Sequence, residues 1–128
     1  MRSGAATWWF AALLSVSAAC ASRAWAADFR AVSEEAAILY DAPSAQSKKL
    51  FVVGRGYPLE VIVVVEGWVK VRDANGALSW VDAKQVSNRQ RTIIVKVPVA
   101  QVRQAAEDNA PLVFQAQQDV LLDVTEVV

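Results

Sequence analysis

The sequence predicts an all-β fold, a small barrel of five or six short strands that is closed or partly open. Three observations predict it. Short valine-rich apolar runs recur between Ile38 and Val97, turn signals separate them, and one Asn-Gly dipeptide sits between two of the runs. Nothing in this stretch keeps the 3.6-residue period of an amphipathic helix.

Taken in order, Ile38-Leu39-Tyr40 reads as a first strand, ended by Asp41-Ala42-Pro43-Ser44, where proline withdraws a ladder donor. Leu50 to Val53 is a second, stopped by Gly54-Arg55-Gly56. Leu59 to Glu66 is a third, and its core Val61-Ile62-Val63-Val64-Val65 is apolar throughout. Such a strand is expected to be buried on both faces or strongly bent around the barrel. After Gly67 the chain resumes as Trp68 to Arg72, turns at Asp73-Ala74-Asn75-Gly76 and pairs back through Leu78 to Asp82. Ala83-Lys84-Gln85-Val86 suits a single 3₁₀ turn. Arg91 to Val97, stopped by Pro98, reads as the last strand of the barrel, and residues 27–37 as an extended lead-in to it.

The first 26 residues have a different character. Arg2 precedes an uncharged apolar run from Ala5 to Ala21, and Ala24-Trp25-Ala26 supplies a small-residue cleavage signature. These are the three parts of a secretory signal peptide, so residues 1–26 are expected to be removed on export to the periplasm or another envelope compartment. The single cysteine, Cys20, lies within this segment. Acylation there would make the protein a lipoprotein and give it a membrane anchor, but the residue three places earlier is Ser17 rather than a large apolar one.

Beyond Ala26 the chain carries 11 basic and 13 acidic side chains, a net charge of −2, with no histidine and no cysteine. A weakly negative domain offers no basic field for nucleic acid. Without thiol or imidazole, the Ser-His-Asp and Cys-His nucleophile pairs are excluded, as are the ordinary zinc and copper sites and any disulfide. No metal and no other cofactor is expected. Glu60 with Glu66, or Asp73 with Asp82, would be the only carboxylate pairs to weigh for glycoside chemistry. A barrel of this size has little room for the required cleft, so the expectation is a protein that is not an enzyme.

Several spaced motifs then agree in order and distance: Leu39-Tyr40-Asp41-Ala42-Pro43, Gly67-Trp68-Val69-Lys70-Val71-Arg72, Asn75-Gly76 and Ser79-Trp80-Val81. Together they resemble the bacterial Src-homology-3-like (SH3-like) domain family over residues 38–97, with Ser79 standing where the family usually has glycine. The resemblance implies a five-stranded SH3-like barrel and a non-catalytic binding module for an extended peptide. It suggests a peptidoglycan stem peptide or a segment of an envelope protein as the ligand. Strand alternation places Trp68, Lys70 and Arg72 on one face, opposite Val69 and Val71. Trp68 also falls where eukaryotic relatives keep a ligand-stacking tryptophan. Tyr40 takes the place of the first tyrosine of their Ala-Leu-Tyr-Asp-Tyr motif, the second being Ala42 here. A later aromatic is also missing from Asp82 to Val86, so polyproline recognition is not expected. The candidate ligand-binding residues are Tyr40, Tyr57, Trp68 and Lys70, while Trp80 reads as core or barrel rim.

A shift of 63 positions lays Leu39 on Val102, Leu50-Phe51 on Val113-Phe114 and Leu59-Glu60-Val61 on Leu122-Asp123-Val124. Residues 98–128 therefore read either as a partial second SH3-like repeat, short of its Gly-Trp hairpin, or as a tail packed on the first barrel. A partial repeat would leave an unpaired apolar edge from Val120 to Val128. This supports an alternative function, a structural or assembly protein that self-associates as a homo-oligomer or pairs with a partner through that edge.

Overall fold

A computed structural model describes residues 27–127. The expected signal peptide and Cys20 lie outside the described residues. Seven strands make one antiparallel sheet: β1 (Phe29–Val32), β2 (Ala36–Tyr40), β3 (Lys49–Gly54), β4 (Pro58–Val65), β5 (Trp68–Arg72), β6 (Leu78–Asp82) and β7 (Val86–Ser87). Their spatial order is β3-β2-β6-β5-β4-β1-β7. Val32, Ala37, Leu39, Leu59, Val69, Val71, Val81 and Val86 meet in one buried cluster, although they come from six of these strands. One face of the sheet can converge on a single core only if the sheet rolls up around it, which strand twist favours. The all-β expectation holds, with two short strands added to the five.

Local chemistry sets the turns. In the β5–β6 hairpin, Asp73 Oδ1 accepts hydrogen bonds from the N–H groups of Asn75 (2.9 Å) and Ala77 (3.0 Å). The N–H of Gly76 closes the turn on the Asp73 carbonyl at 3.0 Å, and Gly76 alone in this turn takes a positive φ, 85°. That is a type I turn followed by a left-handed glycine. The expected 3₁₀ turn is present at Ala83–Gln85, where the Asp82 carboxylate accepts from the Lys84 N–H at 2.9 Å. Of the carboxylates weighed for glycoside chemistry, Asp73 holds a turn, Asp82 a cap, and Glu60 pairs with exposed Arg72 at 3.3 Å.

Three expectations are corrected. The segment 27–37 is more than a lead-in, because it contributes β1. This strand pairs with β4 (Phe29↔Glu60) and with β7 (Ala31↔Ser87), and it buries Ala31 and Val32. So few apolar residues leave no periodic signal. Arg91–Val97 does not add a barrel strand; its central part pairs with residues 121–123 instead.

The valine run of β4 is not buried on both faces. A bulge interrupts the β4–β5 ladder between Val61 and Val63, and beyond it Ile62 to Val65 are exposed, Val64 by 56%. Only the first half of β4, anchored by buried Leu59, lies over the core. The valines past the bulge favour extended backbone without being covered.

The remaining strands are β8 (Thr92–Ile94), β9 (Val99–Arg103), β10 (Leu112–Gln117) and β11 (Leu121–Asp123), arranged as two pairs, β9 with β10 and β8 with β11. They reproduce the first half of the barrel at an offset of 63 residues. The register Ala36↔Gly54 of β2–β3 recurs as Val99↔Gln117, and Leu39↔Phe51 recurs as Val102↔Phe114. The bulge that skips Leu50 recurs at Val113. Arg30↔Leu59 of β1–β4 recurs as Ile93↔Leu122. Even the turn bonds repeat. The Gly56 N–H donates to the Val32 carbonyl at 2.8 Å, and the Asp119 N–H to the Val95 carbonyl at 2.8 Å. Gly56 (φ 85°) and Asp119 (φ 68°) share the left-handed conformation, and Asp119 is the one non-glycine residue described there. The side chain of Thr92 donates to the Gly56 carbonyl, tying this second unit to the first.

Candidate ligand-binding surface

The outer face of the sheet is built by alternation. Val69 and Val71 of β5 are fully buried, which turns Trp68 and Lys70 outward. On β6 the same logic buries Ser79 and Val81 and turns Trp80 outward. Lys70 lies directly across from Trp80, and Trp80 directly across from Tyr40, so β5, β6 and β2 present one contiguous patch.

Within the patch, the Tyr40 and Trp68 rings meet edge to face, with centroids 5.5 Å apart and planes at 86°. The Lys70 ammonium sits 5.9 Å from the centre of the Trp80 ring, within cation–π range. Tyr40 is only 9% exposed, while Trp68, Lys70 and Trp80 are half-buried. Tyr40 is thus the floor that fixes the Trp68 ring, and the tryptophans and lysine form the accessible surface. Val63 and Val65, opposite Lys70 and Trp68 across the β4–β5 ladder and both exposed, extend it on one side.

Three of the four candidate residues are therefore brought together: Tyr40, Trp68 and Lys70. Tyr57 is placed elsewhere. It packs against the core, and its hydroxyl accepts the Ala74 N–H at 3.0 Å, bracing the hairpin at the opposite end of β5 from Trp68. Trp80, expected as core or barrel rim, lies in the patch with Lys70 and Tyr40 and is half-buried. The missed signal is Ser79-Trp80-Val81 itself: valine must face inward, so the residue before it must face out. Inward-facing Ser79 is fully enclosed, and its hydroxyl has no hydrogen-bond partner among the described residues.

The patch is a shelf rather than a hollow. Two clefts of the described residues, of about 660 and 500 Å³, lie away from it, one between β1 and the β8–β11 pair and one beside Arg55, Lys84 and Arg89. A shelf of two tryptophans and a cation can grip flat or extended ligands by stacking and can pair with a carboxylate, because rigid aromatics bury area at little entropic cost.

The comparisons agree with this architecture. Residues 33–88 match the family model of the bacterial SH3 domain. That span opens at the turn after β1 and ends just beyond β7, before β8. No curated protein matches the chain. The rolled antiparallel sheet, the Gly-Trp hairpin and this match lead to one conclusion: residues 33–88 fold as a domain similar to the bacterial SH3 domain.

Proposed function

We propose that this chain is a non-catalytic binding module of the bacterial cell envelope, exported by its N-terminal segment, that holds an extended peptide across Tyr40, Trp68, Lys70 and Trp80. The observation that carries the reading is the seating of the aromatics. Tyr40 holds the Trp68 ring edge to face, and Lys70 stands over Trp80 in the same patch. A peptide laid along the shelf would stack on the two indoles and place a carboxylate near the Lys70 ammonium. Peptidoglycan stem peptides, extended and anionic, have this chemistry, as does an acidic segment of an envelope protein. Bacterial SH3 domains are a binding-module type, which supports the general class. The absence of histidine and of any cysteine beyond Cys20 supports binding over catalysis.

The test is a pull-down with purified peptidoglycan, comparing the wild type with Trp68→Ala. Truncating a central aromatic contact costs about 1–3 kcal/mol, so retention should fall roughly tenfold or more. Equal retention by the two proteins would remove Trp68 from the site. No retention of either would remove peptidoglycan as the ligand.

A further inference from the structure

The shelf carries a charge pattern beyond the Lys70 ammonium. On the β5–β6 ladder Trp68 lies directly across from Asp82, and Lys70 directly across from Trp80. Alternation turns all four outward, because Val69 and Val81, which separate them along each strand, are buried. The result is a two-by-two block in which the tryptophans hold one diagonal and the opposite charges hold the other. Diagonal neighbours on an antiparallel ladder stand about 7–8 Å apart. Glu66, exposed in the turn between β4 and β5, adds negative charge at the Trp68 end of the block.

The two charges of the block do not neutralise each other. Among the described residues Arg72 and Glu60 make the one ion pair. Lys70 lies over the Trp80 ring instead, 5.9 Å from its centre. Asp82 is held by its own cap: Oδ1 accepts the Lys84 N–H at 2.9 Å, and Oδ2 has no hydrogen bond among the described residues. The Ala83 N–H donates to the Gly67 carbonyl at 2.9 Å, which fixes the end of the ladder where Trp68 and Asp82 meet. A carboxylate oxygen left free beside an indole is a seat for an ammonium, which gains an opposite charge and an aromatic ring together. An extended peptide places residues two apart on one face at about 7 Å, close to the spacing of the diagonal.

We propose that Asp82 is the second pole of the shelf, and that the ligand is a zwitterionic extended peptide whose carboxylate and ammonium stand two residues apart. The carboxylate meets Lys70, the ammonium meets Asp82 and the Trp68 ring, and the chain between them crosses the block. Charge complementarity at both poles selects this ligand over a purely anionic one, because an acidic segment would set a second carboxylate against Asp82 and Glu66. The assignment rests on the shelf being a peptide site and gives that site a direction.

The probe is acetyl-Glu-Ala-Lys amide or its reverse, acetyl-Lys-Ala-Glu amide, whichever binds more tightly. It is titrated into the protein, and binding is followed by amide and indole NMR. Saturable binding is expected, with shifts centred on Trp68, Lys70, Trp80 and Asp82. Acetylating the lysine amine of the probe should weaken binding about two- to fivefold, the scale of one solvent-accessible ion pair. Asp82→Asn should weaken the free-amine probe by the same factor and leave the acetylated probe unchanged. An asparagine carbonyl still accepts the Lys84 N–H, so the cap survives the substitution. Glu66→Gln should leave both affinities unchanged, which separates a seat at Asp82 from the net charge of that end. If Asp82→Asn binds both probes as the wild type does, the proposal is overturned, as it is by an equal loss in Glu66→Gln. No binding of the free-amine probe also overturns it. Trp68→Ala keeps the two readings apart. Loss of binding there with no effect of Asp82→Asn removes the ammonium seat and leaves the shelf, whereas unchanged binding removes both.

Discussion

Leu59 and Leu122 are the same residue of two repeated units, and truncating each in turn measures how far each unit is covered. Leu59 is fully enclosed by valines from β1, β5, β6 and β7 and by Leu39. Leu59→Ala leaves a cavity that a rolled sheet cannot collapse, and such truncations cost about 2–5 kcal/mol. For a barrel of this length, total stability is on the order of 3–9 kcal/mol. The variant should therefore lose about half its stability, and its melting temperature should fall by roughly 4–8 °C per kcal/mol. Leu122 lies in β11, which among the described residues pairs only with β8, and it is half-buried. Leu122→Ala should cost about 1 kcal/mol, since only part of its surface leaves water on folding. In the chain without residues 1–26, urea unfolding followed by tryptophan emission reads the barrel, because its two tryptophans, Trp68 and Trp80, both lie there. Amide hydrogen exchange reads the second unit. Equal costs for the two truncations would refute the reading that Leu122 is less covered than Leu59. A cost below about 1 kcal/mol for Leu59→Ala would refute the core itself.

Three other substitutions test single features. Ser79→Ala removes an enclosed hydroxyl that has no partner, and should stabilise the barrel by about 1 kcal/mol in urea unfolding. Asp73→Ala frees two backbone N–H groups of the hairpin and should cost about 1–2 kcal/mol by the same measurement. Gly56→Ala forces a side chain into the left-handed region and should cost about 1–2 kcal/mol. Asp119→Gly at the equivalent turn should instead gain up to about 1 kcal/mol, read as slower amide exchange in β10 and β11.

The outward placement of Trp68 and Lys70 was legible because alternation is local: with Val69 and Val71 inside, their neighbours have nowhere else to point. The same rule applied to Ser79-Trp80-Val81 would have placed Trp80 beside them. Reading Trp80 as core or barrel rim left that alternation unused. Tyr57 was grouped with the patch by residue type alone. Its actual partner, the Ala74 N–H, is 17 positions away, and no spacing in the sequence points to that bond.

Period-2 alternation, the glycine turns and the 63-residue offset are properties of neighbouring residues or of the chain compared with itself. They were enough to determine an all-β chain with a Gly-Trp hairpin, and they left residues 98–128 open between a partial repeat and a packed tail. Which strands border which was a different matter. The pairing of β1 with β7, the transfer of Thr92–Ile94 from the barrel to Leu121–Asp123, and the exposure of the β4 valines are long-range outcomes. They depend on where a rolled sheet runs out of inner surface, and a strand's own residues do not record how much cover its neighbours provide.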